Sequence, residues 1–298
     1  MPMRWAIISG MYNVADLAAE FCSYHLGLGV DKIFVADYGS DDGTLDLLAP
    51  FVRKGHVQIV PLPTHHFANY DPSNAILGMI RKEDTADWVS FLDPDEYLTG
   101  PDKLKTSLAE AWARGVEAIA VSRFNLTGIG PIPEGVHYLT HLTQKIVATD
   151  ARESNAAALL SSPWIFTRLP PKVMVRVQSR LTIATGDHEV RGAEGGRMRD
   201  PSMEILHFPI RGYASFQRKI EDTVDYFAAN PEFGPGIGWH WRRWIELLKI
   251  GKLREEYNSQ FLERNSVEAL VAGKQIVEDR CLAAWLFNKQ RLTPSANA

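Results

Sequence analysis

Cysteine is nearly absent. Cys22 and Cys281 are the two in 298 residues. Two thiols make no disulfide framework, and a reducing compartment is the simpler reading. A basic excess is missing too: the net charge is −4 and the pI is near 6.1. No global field invites nucleic acid, and none is expected as a partner. No apolar run approaches the ~20 residues that a membrane-spanning helix needs. The start of the chain, Met1 to Ala19, is interrupted by Asn13 and Asp16. It reads as strand then helix rather than as a signal peptide. Repeats and low-complexity tracts are lacking. These absences lead to the expectation of a cytoplasmic protein.

What is present is a composition that builds a core: 45% hydrophobic and 23% charged residues, as in soluble globular proteins. The length allows one large α/β domain with an extension. Trp5–Ser9, Lys32–Asp37, Val57–Val60 and Trp88–Leu92 are apolar, β-prone runs. Between them, Ala15–Leu28, Thr44–Val52 and Pro72–Asp84 carry helical spacing. Asn13 or Asp16 is available to cap the first helix. This alternation predicts a parallel sheet with right-handed crossovers. Beyond Gly100 we expect a helix over Asp102–Arg114 and strands at Val116–Phe124, Lys172–Val177, Arg180–Ala184 and Glu204–Phe208. Val136–Ser162 is mixed, and Gly186–Asp200 reads as a glycine-rich, charged loop. From Tyr213 to about Asn288 the pattern is mostly helical, and the last ten residues read as loose. The expected division is 1–212 as a nucleotide-binding and catalytic domain, with 213–298 as a helical extension packed on it.

The chemistry centres on Asp93-Pro94-Asp95-Glu96, which follows Trp88–Leu92. Strand residues alternate in direction, so Asp93 and Asp95 are expected on one side. Pro94 ends the ladder. Carboxylates at the carboxyl edge of an open α/β sheet lie where such sheets hold ligands. Two that approach each other call for a cation, and oxygen ligands suit Mg²⁺ or Mn²⁺ shared with substrate phosphates. The alternative is an acidic turn capping a helix after Tyr97.

Other candidates share that edge. Asp37 ends the second strand, before Gly39-Ser40-Asp41-Asp42-Gly43-Thr44, where strand ends commonly read a nucleotide. Asp41 or Asp42 can instead cap the next helix. Tyr12 can stack on a base, while Asn13 contacts substrate or caps. Later come Gly186-Asp187-His188-Glu189 and His207-Phe208-Pro209-Ile210-Arg211. His207 can complete an ion shell begun by Asp95, with Asp93 as the further ligand. Asp187, or Glu189, can serve as general base. Arg211 and Lys172 offer positive charge to a leaving diphosphate.

Taken together, these segments resemble the family 2-type glycosyltransferases of GT-A fold. The bacterial branch whose acidic motif is Asp-x-Asp-Glu plus an aromatic and an aliphatic residue is the nearest match, here Asp93-Pro94-Asp95-Glu96-Tyr97-Leu98. Asn13, Asp37 with its glycine-flanked turn, Asn74, His188 in Gly186–Val190 and His207–Arg211 extend the resemblance over residues 4–220. It implies a Rossmann-like, mostly parallel sheet, a nucleotide-diphosphate-sugar donor, and Mn²⁺ or Mg²⁺. It implies contacts of Asp37 with the base, Asp93 with the ribose or a bound water, and Asp95 with the ion. Asn74, Glu96 and His188 are expected to contact substrate. The chain departs from many relatives in carrying Asn13-Val14 where they have Asn-Glu. It also lacks a clear Glu-Asp pair to supply the base; Gly186-Asp187-His188-Glu189 occupies that place.

The expected reaction is sugar transfer, with inversion, to a hydroxyl of a glycan, glycolipid or polysaccharide. A nucleotidyltransferase would want a basic, glycine-rich loop after the first strand, and Gly10-Met11-Tyr12-Asn13-Val14 has no Lys or Arg. A binding module without turnover, or a phosphohydrolase with Asp93 as nucleophile, are the other readings. Gly238–Ile245 is rich in Trp and Arg. It either packs on the protein or docks peripherally on the inner face of a membrane near a lipid-linked acceptor.

Overall fold

The computed structural model describes residues 3–62, 72–101, 104–148, 163–178, 180–184, 186–193, 196–231, 234 and 238–292. Part of the mixed 136–162 stretch and most of the end expected to be loose lie outside these residues. The chain divides into two compact units. The first is Met1–Arg123 with Leu169–His207, the second Phe124–Arg168 with Phe208–Ala298.

The first unit opens with the expected alternation: β1 (Trp5–Met11), α1 (Ala18–Gly27), β2 (Lys32–Asp37), α2 (Thr44–Arg53), β3 (Val57–Pro61), α3 (Pro72–Glu83) and β4 (Trp88–Phe91). β5 (Glu96–Thr99) and α4 (Leu104–Ala113) follow. β6 (Val116–Thr127) begins in this unit, and its last four residues belong to the second. The second unit takes α5 (Tyr138–His141) and β7 (Gln144–Ile146). The chain then returns to the first for β8 (Lys172–Arg176), β9 (Thr182–Ile183), β10 (Val190–Arg191) and β11 (Gly196–His207). The remainder is α6 (Tyr213–Ala229), α7 (Trp239–Lys249), α8 (Leu253–Ser259), α9 (Val267–Ala272), β12 (Ile276–Glu278) and α10 (Cys281–Leu292).

In the first unit the strands run in the order β3-β2-β1-β4-β8-β6. β1 to β4 are mutually parallel, and β8 is antiparallel to both β4 and β6. β1, β2 and β4 are buried on both faces, which is why they read as continuous apolar runs rather than alternating ones. Trp5, Ile7, Ile33, Val35 and Trp88 pack under α1, α2 and α4 on one face. Ile8, Phe34, Val89 and Phe91 pack on the other with Ile76, Leu77 and Ile80 of α3. Each such side chain contributes roughly 1.5–3 kcal/mol by burial. The indole N–H of Trp5 donates to Ser90 Oγ at 2.8 Å, so its one polar atom is satisfied.

Three local expectations change. α1 starts at Ala18 without a side-chain cap. Asn13 instead adopts φ +51° and receives the Asp41 N–H on its Oδ1 at 3.0 Å. Gly186–Asp200 is not one loop: Val190–Arg191 and Gly196–Asp200 are strand, the latter the exposed start of β11. After Glu96 comes β5, not a helix. It pairs with β11, placing His207 opposite Glu96 and Ile205 opposite Leu98. On the other side of β5, α1 holds the backbone. Tyr24 Oη donates to Leu98 O at 2.9 Å, and Leu98 N–H donates to His25 Nε2 at 3.2 Å. His25 Nδ1–H in turn donates to Phe21 O at 2.9 Å. Burial pushes its imidazole down to about 3, so it is neutral, as this pattern requires.

In the second unit, β12, β7 and the end of β6 form an antiparallel ladder. The Trp-rich segment forms α7 and packs inward at Trp244, which is buried and meets Trp164 and Phe216 edge-on. Glu256 of α8 accepts both Nη1 and Nη2 of Arg243, the Trp244 indole N–H and Gln260 Nε2. That arrangement satisfies a buried carboxylate and ties α7 to α8. Among the described residues no helix is long and apolar enough to cross a membrane.

Candidate functional site

β1 lies between β2 and β4. The chain steps outward to β2 and β3, then passes back to β4. Such a reversal opens a crevice beyond the carboxyl ends of the two central strands. Tyr12 and Asn13 follow β1, Asp37 ends β2, and the acidic bend follows β4.

The bend differs from the expected alternating strand. The β4 ladder stops at Phe91, and Asp93-Pro94-Asp95 is a turn. Glu96 N–H donates to Asp93 O, and Asp93 N–H donates to Glu96 Oε2, both at 3.0 Å. Asp93 and Asp95 differ in exposure and in partner. The Asp93 side chain is 49% exposed, while Asp95 is buried with its Oδ1 3.6 Å from His207 Nε2. β5 pairing with the end of β11 is what brings His207 there.

Asp93 faces Lys172, the first residue of β8. The ammonium is 3.1 Å from Asp93 Oδ2, 3.8 Å from Asp187 Oδ2 and 3.9 Å from Glu96 Oε2. It also lies 3.4 Å from Gly186 O. Burial works to lower the Lys172 pKa, but the three carboxylates outweigh it and raise it, so the lysine stays charged. Burial works to raise the Asp93 carboxyl, and Lys172 holds it below the usual carboxylate range instead. Glu96 goes the other way: its complete burial raises it, and Lys172 and Arg123 offset only part. Arg123, on β6, reaches Glu96 Oε1 at 2.5 Å through Nη1 and donates Nε–H to Pro170 O at 2.8 Å. Asp93, Glu96 and Asp187 against Lys172 and Arg123 leave one negative charge in excess, before Asp95 is counted.

The Gly186-Asp187 turn has both residues at positive φ, +83° and +61°. It presents Asp187 to Lys172, whereas Glu189 is exposed. His188 donates Nδ1–H to Pro171 O at 3.0 Å. Burial, then Arg123 and Lys172, push its imidazole down to about 4, so it is neutral with its lone pair on Nε2.

Several expected substrate contacts are engaged in shaping the protein. Asp37 accepts the Gly39 and Ser40 N–H groups at 3.1 and 3.2 Å and the Ser40 hydroxyl at 2.7 Å, so its carboxylate forms the turn after β2. The N-cap of α2 is Gly43, without a side-chain cap, and Asp42 just before it accepts from Thr44 N and Oγ1. Asp41 is exposed. Asn74 clamps β9: its Nδ2 donates to Ile183 O and its Oδ1 accepts the Ile183 N–H. Arg211 belongs to the second unit and donates to Phe208 O. Arg123 was missed by the sequence reading. Its one signal is a basic residue inside a strand that is otherwise largely apolar from Ala118 to Val121.

Among the described residues, no group of three or more His, Cys, Asp and Glu side chains is gathered to hold a metal ion. Of the three expected ligands, Asp93 is paired with Lys172, and Asp95 lies against His207. Asp95 and His207 fit an ion as two protein donors only. Mg²⁺-type ions are commonly bound that way, the remaining positions going to water and substrate phosphate.

The glycosyltransferase family 92 model matches residues 8–225. No curated protein matches the chain by sequence. Among solved structures, TarS 1–349 of S. aureus in complex with UDP-GlcNAc is similar at 15% identity, covering 85% of this chain and 79% of that one, with a TM-score of 0.45. The mannosyltransferase PcManGT of Pyrobaculum calidifontis, in complex with GDP-Man and Mn²⁺, is similar at 14% identity, covering 98% and 81%, with a TM-score of 0.40. The sequence resemblance to glycosyltransferases is met at the level of the enzyme class, and the family that matches is 92 rather than 2.

Proposed function

The chain belongs to glycosyltransferase family 92, and from that premise we propose that it transfers a sugar from a nucleotide-diphosphate donor to a hydroxyl acceptor with a divalent ion. The acceptor class is a glycan, glycolipid or polysaccharide. The observation that carries the reading is the buried Asp95–His207 pair beside the Lys172 cluster, at the carboxyl edge of the sheet. In this reading residues 1–212 bind the donor and carry out the chemistry, with 213–298 as the helical extension.

Asp95 and His207 would hold Mn²⁺ or Mg²⁺. When bound, the ion neutralises diphosphate charge as the sugar departs. The excess negative charge of the cluster favours a cation there. Asp37 acts by fixing the turn beside the nucleoside, and Tyr12 lies at the neighbouring strand end. Asp187, rather than the exposed Glu189, takes the proton from the acceptor hydroxyl, and the anomeric carbon inverts. Lys172, 3.8 Å from its Oδ2, holds Asp187 in place for that task.

Donor turnover tests this, with a panel of uridine, guanosine and thymidine diphosphate sugars. Asp95→Ala is expected to lose activity at limiting manganese and to recover part of it as manganese rises. Asp187→Asn is expected to bind donor normally while transfer falls by ~10²-fold or more. Full activity of Asp95→Ala at limiting metal would end the ion seat, and normal transfer by Asp187→Asn would remove it as the base.

A further inference from the structure

Arg123 is half-buried, with its side chain 7% exposed. It is held on two sides only. Nη1 meets Glu96 Oε1, and Nε–H donates to the Pro170 carbonyl. Nη2 and the second hydrogen of Nη1 have no protein partner among the described residues. Nη2 is not sealed inside the protein, so this is the edge that a ligand from solvent can reach.

A second arginine–glutamate pair, with a buried glutamate, shows what plain charge balance looks like. Arg243 meets Glu256 as a fork, with Nη1 on Oε1 at 3.1 Å and Nη2 on Oε2 at 2.7 Å. Arg123 does not close such a fork on Glu96. Its two anchors fix the plane of the group and leave one edge open. The register puts Lys172 beside it. Val121 pairs with Lys172, and Arg123 lies two residues further along β6, on the same face as Val121. Two cations thus stand together on one sheet face, and the guanidinium still has a pair of donors to give.

We propose that Arg123 is a substrate-contacting residue whose open Nη edge receives phosphoryl oxygens of the donor's diphosphate, with Lys172 as the neighbouring charge. This rests on the donor reading above and adds the residue that grips the leaving group. A planar fork suits oxyanions with two oxygens. A sugar carboxylate is the other oxyanion of that shape, so both are probed.

Calorimetric titration of inorganic pyrophosphate, at fixed magnesium, is the test. Arg123→Lys keeps one charge and loses the fork, and is expected to bind ~10-fold more weakly than the unsubstituted protein. Arg123→Gln is expected to bind ~100-fold more weakly. Because Arg123→Gln strands Glu96, the double variant Glu96→Gln/Arg123→Gln is measured beside it, with melting curves to confirm folding. If pyrophosphate binds all variants equally, Arg123 makes no diphosphate contact and the proposal falls. It falls too if glucuronate binding, rather than pyrophosphate binding, drops in Arg123→Lys. A loss in Asp95→Ala with none in Arg123→Lys overturns the proposal while leaving the ion seat intact. An unsubstituted protein that binds no pyrophosphate with magnesium overturns the donor reading, and this inference with it.

Discussion

Replacing Lys172 with methionine removes the charge while keeping most of the side chain's volume. The ammonium sits 3.1 Å from Asp93, 3.8 Å from Asp187 and 3.9 Å from Glu96. Breaking a buried ion pair from one side typically costs about 3–5 kcal/mol. Three features lower that figure here. Asp93 is half exposed, so water screens its share to at most ~1 kcal/mol. Glu96 keeps Arg123. Methionine also avoids the burial cost of the ammonium itself. A loss of about 2 kcal/mol at pH 7 remains. Its pH dependence has a definite sign. In the unsubstituted protein the folded Asp93 pKa is lowered, so its stabilisation is present above the ordinary carboxylate pKa and is lost as pH falls through the lowered value. Without Lys172 the lowering of Asp93 is lost, and the buried Glu96 rises further. The folded variant then takes up protons before the unfolded chain does, so it gains on the unsubstituted protein as pH falls from 7 toward the ordinary carboxylate range. Urea denaturation at pH 7 and 4.5, at matched ionic strength, reads the difference. The gap should narrow to under about 1 kcal/mol at the lower pH. An equal gap at both pH values, or none at pH 7, would refute the charge assignment of the cluster.

Asn74→Ala removes both bonds to Ile183 and should cost about 1–2 kcal/mol, with faster hydrogen exchange at the Ile183 amide. Unchanged protection there would show that β9 is held by other means. Gly186→Ala forces a side chain into φ +83° and brings its Cβ to 3.0 Å from the His188 ring. We expect a stability loss of at least ~1 kcal/mol and a displaced His188 imidazole resonance; an unmoved resonance would contradict the packing.

The parallel core was legible because β1, β2 and β4 are buried on both faces, so Ile7, Phe34 and Phe91 announce themselves as apolar runs between helical stretches. The acidic bend was legible as a site but not in its geometry. Alternation in a strand predicts that Asp93 and Asp95 share a side, yet the ladder ends two residues before Asp93 and a turn separates them. β5 escaped notice since four residues carry little periodicity, and its partner β11 is some hundred positions away in the chain. The start of β11 is exposed, so its glycine and charge resemble a loop; pairing with β6 makes it a strand. Asp37, Asn13 and Asn74 all lie at the sheet's ligand edge, but each binds local or distant backbone, and sequence alone does not distinguish a polar group that shapes a crevice from one that fills it.

The attachment of Leu98 to α1 has a consequence for slippage. A strand moved by one place turns every side chain over to the opposite face. For β5 that would exchange Glu96 with Tyr97, burying a ring among cations and a carboxylate among aromatic neighbours. Pairing with a single partner strand gives such a short segment weak protection against this. Tyr24 and His25 grip one peptide carbonyl and one amide from the outer side, and so act as pins that admit one alignment. They also cover hydrogen-bonding groups on which a foreign strand would otherwise template.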